Sequence, residues 1–166
     1  MRFGSAAMVS AIAALIGVTV WLTSDLERRP MITAAAHAAI RANQGLLISV
    51  YSDPSAREAD DLEFLTLCVD SKEPLDFDRL KLLLADTVIR PVTAEICHSE
   101  RVESNDAMFA YFEHWYDERG ERASLMYIPK IHCPTASLCI VNIYEWGQGS
   151  RYTVDEIDGE WTVKEE

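Results

Sequence analysis

Short alternating segments separated by turn signals predict an antiparallel β-meander over Leu125–Val163. The clearest turn is Asp158-Gly159, because this pair readily adopts the positive φ angles of a two-residue type I′ hairpin. Pro129, which has no amide hydrogen to donate, predicts an edge strand or a bulge. Along the strand Leu138–Trp146, alternate apolar side chains form a face that is predicted to lie in the core. These side chains are Cys139, Val141 and Ile143.

Four further elements are predicted before the meander. The Ala-rich segment Thr33–Asn43 predicts a helix, and the alternation of Leu62–Val69 predicts a strand. Leu75–Ala85 has the apolar spacing of an amphipathic helix, with Asp76 placed to accept amide hydrogens as its N-cap. Val92–Cys97 predicts a second strand.

The segment Ser104–Arg119 is rich in aromatic residues and, as a helix ending before Gly120, carries apolar groups on nearly every side. Its simplest interpretation is a helix packed on the sheet. The alternative is an exposed aromatic surface that binds a partner, since Trp and Tyr tolerate a position that is partly exposed to solvent. The candidate partner-binding residues are Tyr111, Phe112, Trp115 and Tyr116.

An apolar run, Ala6 to Leu22, predicts an uncleaved signal anchor that places the protein in the membrane. The alternatives are a cleaved signal peptide and a buried core helix. Residues 1–30 are thus predicted to form the anchor or signal with a short linker, and residues 31–166 a single extracytoplasmic α+β domain. The predicted fold class is α+β: an N-terminal membrane helix, then helices packed on an antiparallel sheet that ends in the C-terminal β-meander.

The chain has four cysteines, which in an exported domain predict two disulfides. Three pairings are possible. The hairpin around Pro134 to Leu138 would bring Cys133 opposite Cys139, which favours that bridge and leaves Cys68 for Cys97. The competing interpretation, a metal site, lacks the ligand spacing of structural zinc, so no metal and no cofactor are predicted.

The net charge of −12 repels phosphate, which argues against nucleic acid as a partner and favours a solvated acidic surface. The chain contains no phosphate-binding glycine loop, no G-x-S-x-G and no H-E-x-x-H. A cysteine nucleophile would require a thiol outside any disulfide. The sequence therefore favours a non-catalytic protein over an enzyme.

The order of elements, with the segments Arg90–Cys97, Gly147–Val154 and Asp158–Val163, resembles a group of small exported bacterial proteins of unknown function. In that group an Arg-Pro segment ending in cysteine precedes a C-terminal hairpin rich in Gly and aromatic residues. This chain departs from the pattern at Thr93, where Ser is usual, and at Ser150, where an aromatic residue is usual. The aromatic-rich segment is an insertion relative to the group. The resemblance implies export and the order of elements, and it implies no catalytic residue.

Two functional hypotheses follow. The first is a membrane-anchored binding module, stabilised by disulfides, that binds another envelope protein or peptide. Its predicted location is the inner membrane, single-pass, with the domain in the periplasm, or the periplasm alone if the signal is cleaved. The second comes from the Asp-Gly-x-Trp-x-Val ending, which also occurs in cone-shaped domains of the NTF2-like type. It implies a small-molecule-binding or hydrolytic domain with a pocket between helix and sheet.

Overall fold

The computed structural model describes residues 28–44, 64–103, 111–145 and 147–166. This part of the chain contains two α-helices, one short 3₁₀ helix and eight β-strands. In chain order they are α1 (28–42), β1 (Leu65–Ser71), α2 (Phe77–Leu83), β2 (Ile89–Thr93), the 3₁₀ helix (Ala94–Ile96), β3 (His98–Glu103), β4 (Tyr111–Tyr116), β5 (Arg122–His132), β6 (Leu138–Glu145), β7 (Gln148–Ile157) and β8 (Glu160–Glu165). The predicted membrane segment Ala6 to Leu22 lies outside the described residues.

All eight strands belong to one curled, mixed sheet. The main path runs β2-β1-β5-β6-β7-β8, and the β3–β4 hairpin joins it where the end of β4 pairs with the start of β5. From β5 to β8 the neighbouring strands are antiparallel, as predicted for the C-terminal meander. Strand β1 is parallel to both of its neighbours, β2 and β5.

The predicted fold class, helices packed on an antiparallel sheet, is therefore wrong. The sheet is mixed, and strands rather than helices dominate the described part of the chain. The physical reason for the parallel pairing of β1 with β2 lies in the order β1, α2, β2. A helix between two strands returns the chain to the end of the sheet from which it started, so that both strands run in the same direction.

The aromatic segment accounts for the second error in the fold prediction. Residues 111–116 form the strand β4 and not part of a helix, whereas residues 104–110 lie outside the described part. Aromatic side chains favour strands, where they pack across a pleated surface. The even distribution of apolar groups around the proposed helix was itself a sign against an amphipathic helix, which would have one polar side.

Helix α1 lies against the core face of the sheet. Its Ala and Ile side chains share one buried cluster with apolar side chains of β1, β5, β6 and β7. The small alanine side chains let the helix backbone come close to the curled sheet. Strand β1 is buried continuously from Leu65 to Val69, which is typical of a central parallel strand covered on both faces.

Two polar contacts connect α1 to α2 and its flanking turns. The amide of Asp76 donates a hydrogen bond to Thr33 Oγ1 over 3.0 Å, and the Asp76 carboxylate caps α2 by accepting from the amide of Arg79, as predicted. Arg41 donates two hydrogen bonds to the Asp86 carboxylate, at 3.1 and 2.7 Å. These hydrogen bonds hold the pKa of the Asp86 carboxyl below its ordinary value.

The local predictions for the meander are confirmed. Asp158 and Gly159 have φ angles of 53° and 84° in the turn between β7 and β8. The pairing of β5 with β6 shifts register between Tyr127 and Lys130, which places a bulge around Pro129. The predicted core face of β6 is fully buried.

Replacing Gly159 with Ala is expected to lower the free energy of unfolding by about 1–2 kcal/mol, the cost of placing a non-glycine residue in the left-handed region. A β carbon at this position would meet no atom within 4 Å, so the loss comes from the backbone alone. Urea denaturation measures it. Glu160→Ala, an exposed neighbour on β8, is the control and should change the value by about 0.5 kcal/mol or less. An equal loss in both variants would contradict the explanation.

Candidate functional site

The β3–β4 hairpin extends from the sheet at the start of β5. Its two strands pair over their full length, from His98 opposite Tyr116 to Glu103 opposite Tyr111. Only the last two residues of β4 pair with the main sheet, Trp115 with Ala123 and Tyr116 with Arg122. Most of the hairpin thus lies beyond the core that stabilises the rest of the fold.

Every residue of β3 is exposed, so both faces of this strand are open to water. Among the described strands, β3 pairs with β4 alone, so no described strand covers its outer edge. An open edge of this kind can accept a further strand from another polypeptide, with main-chain hydrogen bonds supplying the affinity. Charged side chains at Glu100, Arg101 and Glu103 oppose indiscriminate pairing with identical copies.

The four predicted partner-binding residues all lie on β4. Trp115 and Tyr116 are half-buried at the base of the hairpin, where the Tyr116 ring stacks on His98 with centroids 5.6 Å apart. Tyr111 and Phe112 lie at the other end, opposite Glu103 and Val102. The aromatic run therefore lies along the strand that supports β3, and not on a helix.

Position 114 adds a titratable group to the hairpin. Partial burial, together with the nearby Arg122 cation, lowers the pKa of His114 below its ordinary value of 6.5. The shift favours the uncharged form of the His114 ring at neutral pH.

Both disulfides favoured by the sequence are present, Cys68–Cys97 and Cys133–Cys139. The first ties the residue just before β3 to the buried centre of β1, and so holds the base of the hairpin against the sheet. The second closes the β5–β6 loop. Two disulfides indicate an oxidising environment outside the cytoplasm.

Apart from the hairpin, a cluster of hydrogen-bonded polar side chains lies inside the fold, between α1 and the sheet. Glu145 is only 4% exposed, and its two carboxylate oxygens accept hydrogen bonds from Ser124 Oγ at 3.0 Å and from Asn43 Nδ2 at 2.9 Å. The Tyr152 hydroxyl donates to Asn43 Oδ1 at 3.1 Å. Burial raises the pKa of the Glu145 carboxyl, and the hydrogen bonds from Ser124 and Asn43 oppose part of that rise.

Sequence reasoning missed Glu145, although a signal was present. The buried face of β6 contains Cys139, Val141 and Ile143, and the same alternation continues to position 145. A carboxylate at a core position requires buried partners, which here are Ser124 on β5 and Asn43 just after α1. A carboxylate this deeply buried and fully hydrogen-bonded fits a structural connection between helix and sheet better than a group that meets a dissolved substrate.

No protein-family description, curated protein or solved structure matches the chain. Within residues 28–44, 64–103, 111–145 and 147–166, no three His, Cys, Asp or Glu side chains are grouped so that they could hold a metal ion. No helix in the same ranges is both long enough and apolar enough to cross a membrane.

Proposed function

We propose that the protein is an extracytoplasmic binding module that holds an extended segment of another envelope protein along the outer edge of β3. The observation that carries the proposal is a complete strand, His98 to Glu103, that is exposed at every residue and that pairs with β4 alone among the described strands. Strand addition at such an edge is a common mode of peptide recognition.

The connection of the hairpin to the rest of the protein supports this function. The Cys68–Cys97 bridge and the pairing of Trp115 with Ala123 hold its base, so β3 is presented in a defined position. Such preorganisation reduces the ordering cost that binding would otherwise incur. In this proposal Trp115 and Tyr116 hold the hairpin in place, while β3 supplies the contacts to the partner.

The location proposed for the module is the periplasm, with a single-pass anchor in the inner membrane. The apolar run Ala6 to Leu22 and the resemblance to small exported bacterial proteins support it. An anchor would keep the hairpin close to membrane-bound partners and raise their effective concentration.

Photo-crosslinking tests the proposed edge. A benzoylphenylalanine residue at Ser99, on β3, is expected to crosslink in intact cells to one segment of an envelope protein, which mass spectrometry of the adduct would identify. The control is the same residue at Tyr144, which is 49% exposed on β6, a strand with both edges paired. Equal adducts from both positions, or none from Ser99, would contradict the proposal.

Proline substitution provides a second test, because it removes one amide donor. Neighbouring amides on a strand point to opposite edges, so Ser99→Pro and Glu100→Pro affect different edges of β3. In both variants the crosslinking residue is placed at Val102, because position 99 is itself changed in one of them. One variant should disturb the β3–β4 pairing and lower the melting temperature. The other should leave the melting temperature nearly unchanged and abolish the crosslink. If the second variant still forms the adduct, the outer edge is not the binding surface.

A further inference from the structure

A cleft of about 370 Å³ lies beside β2, apart from the hairpin edge. Its walls come from the start of β1, the end of α2, β2 and the turn between β4 and β5. The volume falls at the lower end of the range of about 300–1,000 Å³ that small-molecule sites occupy.

The cleft contains apolar side chains that the fold leaves partly open to water. Phe64 and Ile96 are 39% and 43% exposed, and the buried side chains of Leu84 and Ile89 also line it. When an apolar ligand covers apolar protein surface that is in contact with water, the free energy of the system falls, which favours binding. The cleft thus offers a place for the apolar body of a small molecule.

Three cations line the same cleft, Lys81, Arg90 and Arg119, although acidic residues outnumber basic ones in the chain by 27 to 15. Arg119 already forms a salt bridge, with its Nε 3.7 Å from the Asp117 carboxylate. Lys81 and Arg90 form no salt bridge with any residue of the described part of the chain.

The two carboxylates that line the cleft, Asp117 and Glu118, do not remove this positive character. Asp117 accepts hydrogen bonds from the backbone amides of Arg119 and Glu121, so these two donors of the β4–β5 turn partly compensate its negative charge. Glu118 is exposed to solvent. The Arg90 guanidinium lies over the Phe64 ring, which orients this cation beside the apolar wall.

We propose that this cleft binds a small amphipathic anion, a molecule with one carboxylate on a short apolar body. The carboxylate is bound by Lys81 and Arg90, since guanidinium and ammonium groups donate charge-assisted hydrogen bonds to it. The apolar body covers Phe64 and Ile96. This function is independent of the hairpin edge, so each proposal can fail without the other.

Calorimetric titration of the full chain in nanodiscs tests the proposal with 4-phenylbutyrate as the probe. The neutral 4-phenylbutanamide and acetate isolate the two halves of the ligand, and each is expected to bind at least about tenfold more weakly. Inorganic phosphate tests for a site that accepts any anion. Binding of phosphate as tight as that of 4-phenylbutyrate would overturn the proposal, as would equal binding of the acid and the amide.

Lys81→Gln and Arg90→Gln are each expected to weaken 4-phenylbutyrate binding about tenfold, because each removes one charge-assisted hydrogen bond. Lys130→Gln is the matched control, an exposed cation outside the cleft, and should leave the affinity unchanged. Melting temperatures of the ligand-free variants confirm that they fold. An affinity that falls equally in all three variants would overturn the assignment, since it would report net charge alone.

Discussion

Replacing Cys68 and Cys97 together with Ala is expected to lower the free energy of unfolding by about 3.5 kcal/mol in the loop-entropy description of disulfides. The bridge spans a sequence separation of 29, so its loss frees a long segment of the unfolded chain. For a domain of ordinary stability this is a large fraction of the total, commonly 5–15 kcal/mol. Urea denaturation without reductant measures the change.

The matched variant replaces Cys133 and Cys139, whose separation is only 6. Its expected loss is about 2.5 kcal/mol, because a shorter loop restricts the unfolded chain less. The order of the two losses is the informative result. A larger loss from the short loop would show that native contacts, rather than loop length, determine the effect of these bridges.

The long bridge also has a local effect that denaturation does not report. Removing it releases Cys97 at the base of β3, so hydrogen exchange of β3 amides should accelerate more than that of β7 amides. Equal acceleration in both strands would mean that the bridge stabilises the fold as a whole without positioning the hairpin.

Asn43→Ala is expected to destabilise the protein by about 2–3 kcal/mol at pH 7, the usual cost of removing a hydrogen bond to a buried charged group. The variant takes one donor from the Glu145 carboxylate and the acceptor from the Tyr152 hydroxyl. In a Glu145→Gln background, Asn43→Ala should cost at most about 1.5 kcal/mol. The reason is that the neutral Gln side chain replaces the carboxylate, so no buried charge loses a hydrogen-bond donor. Asn142→Ala, a half-buried control, should cost about 1 kcal/mol or less.

Glu145 should also make stability depend on pH. Its folded pKa is raised, so between the ordinary value of 4.5 and the raised value the folded state binds more protons than the unfolded state. The contribution of this group is therefore fully present below pH 4.5 and is lost as the pH rises through the folded pKa. The Glu145→Gln variant should lose less stability than the unaltered protein over this interval. A steeper loss in the variant would reverse the assigned direction.

Several features were predictable because they depend on neighbours in the chain. The Asp158-Gly159 turn, the Asp76 cap and the buried face of β6 each follow from local backbone geometry or from the period of two along a strand. The cysteine pairing was favoured by the same kind of reasoning, since a short hairpin leaves few arrangements. Burial of Glu145 could also have been expected from its position on that face.

The aromatic segment shows where local pattern fails. The run from Tyr111 to Tyr116 is compatible with both helix and strand, and its pairing with β3 decides the outcome. That pairing depends on residues outside the segment, because β4 also joins the start of β5 through Trp115. The four aromatic residues predicted to bind a partner consequently lie on a strand and not on a helix.

By itself the sequence determined the turns, the caps, the alternation of the meander and the chemistry of two disulfides, because these depend on backbone preferences and residue types within a few positions. Only the tertiary structure decided the parallel pairing of β1, the conformation of the aromatic segment and the contact of Asn43 with Glu145 across 102 positions. The physical reason is that burial and long-range pairing depend on which surfaces meet, and a local pattern is compatible with several such arrangements.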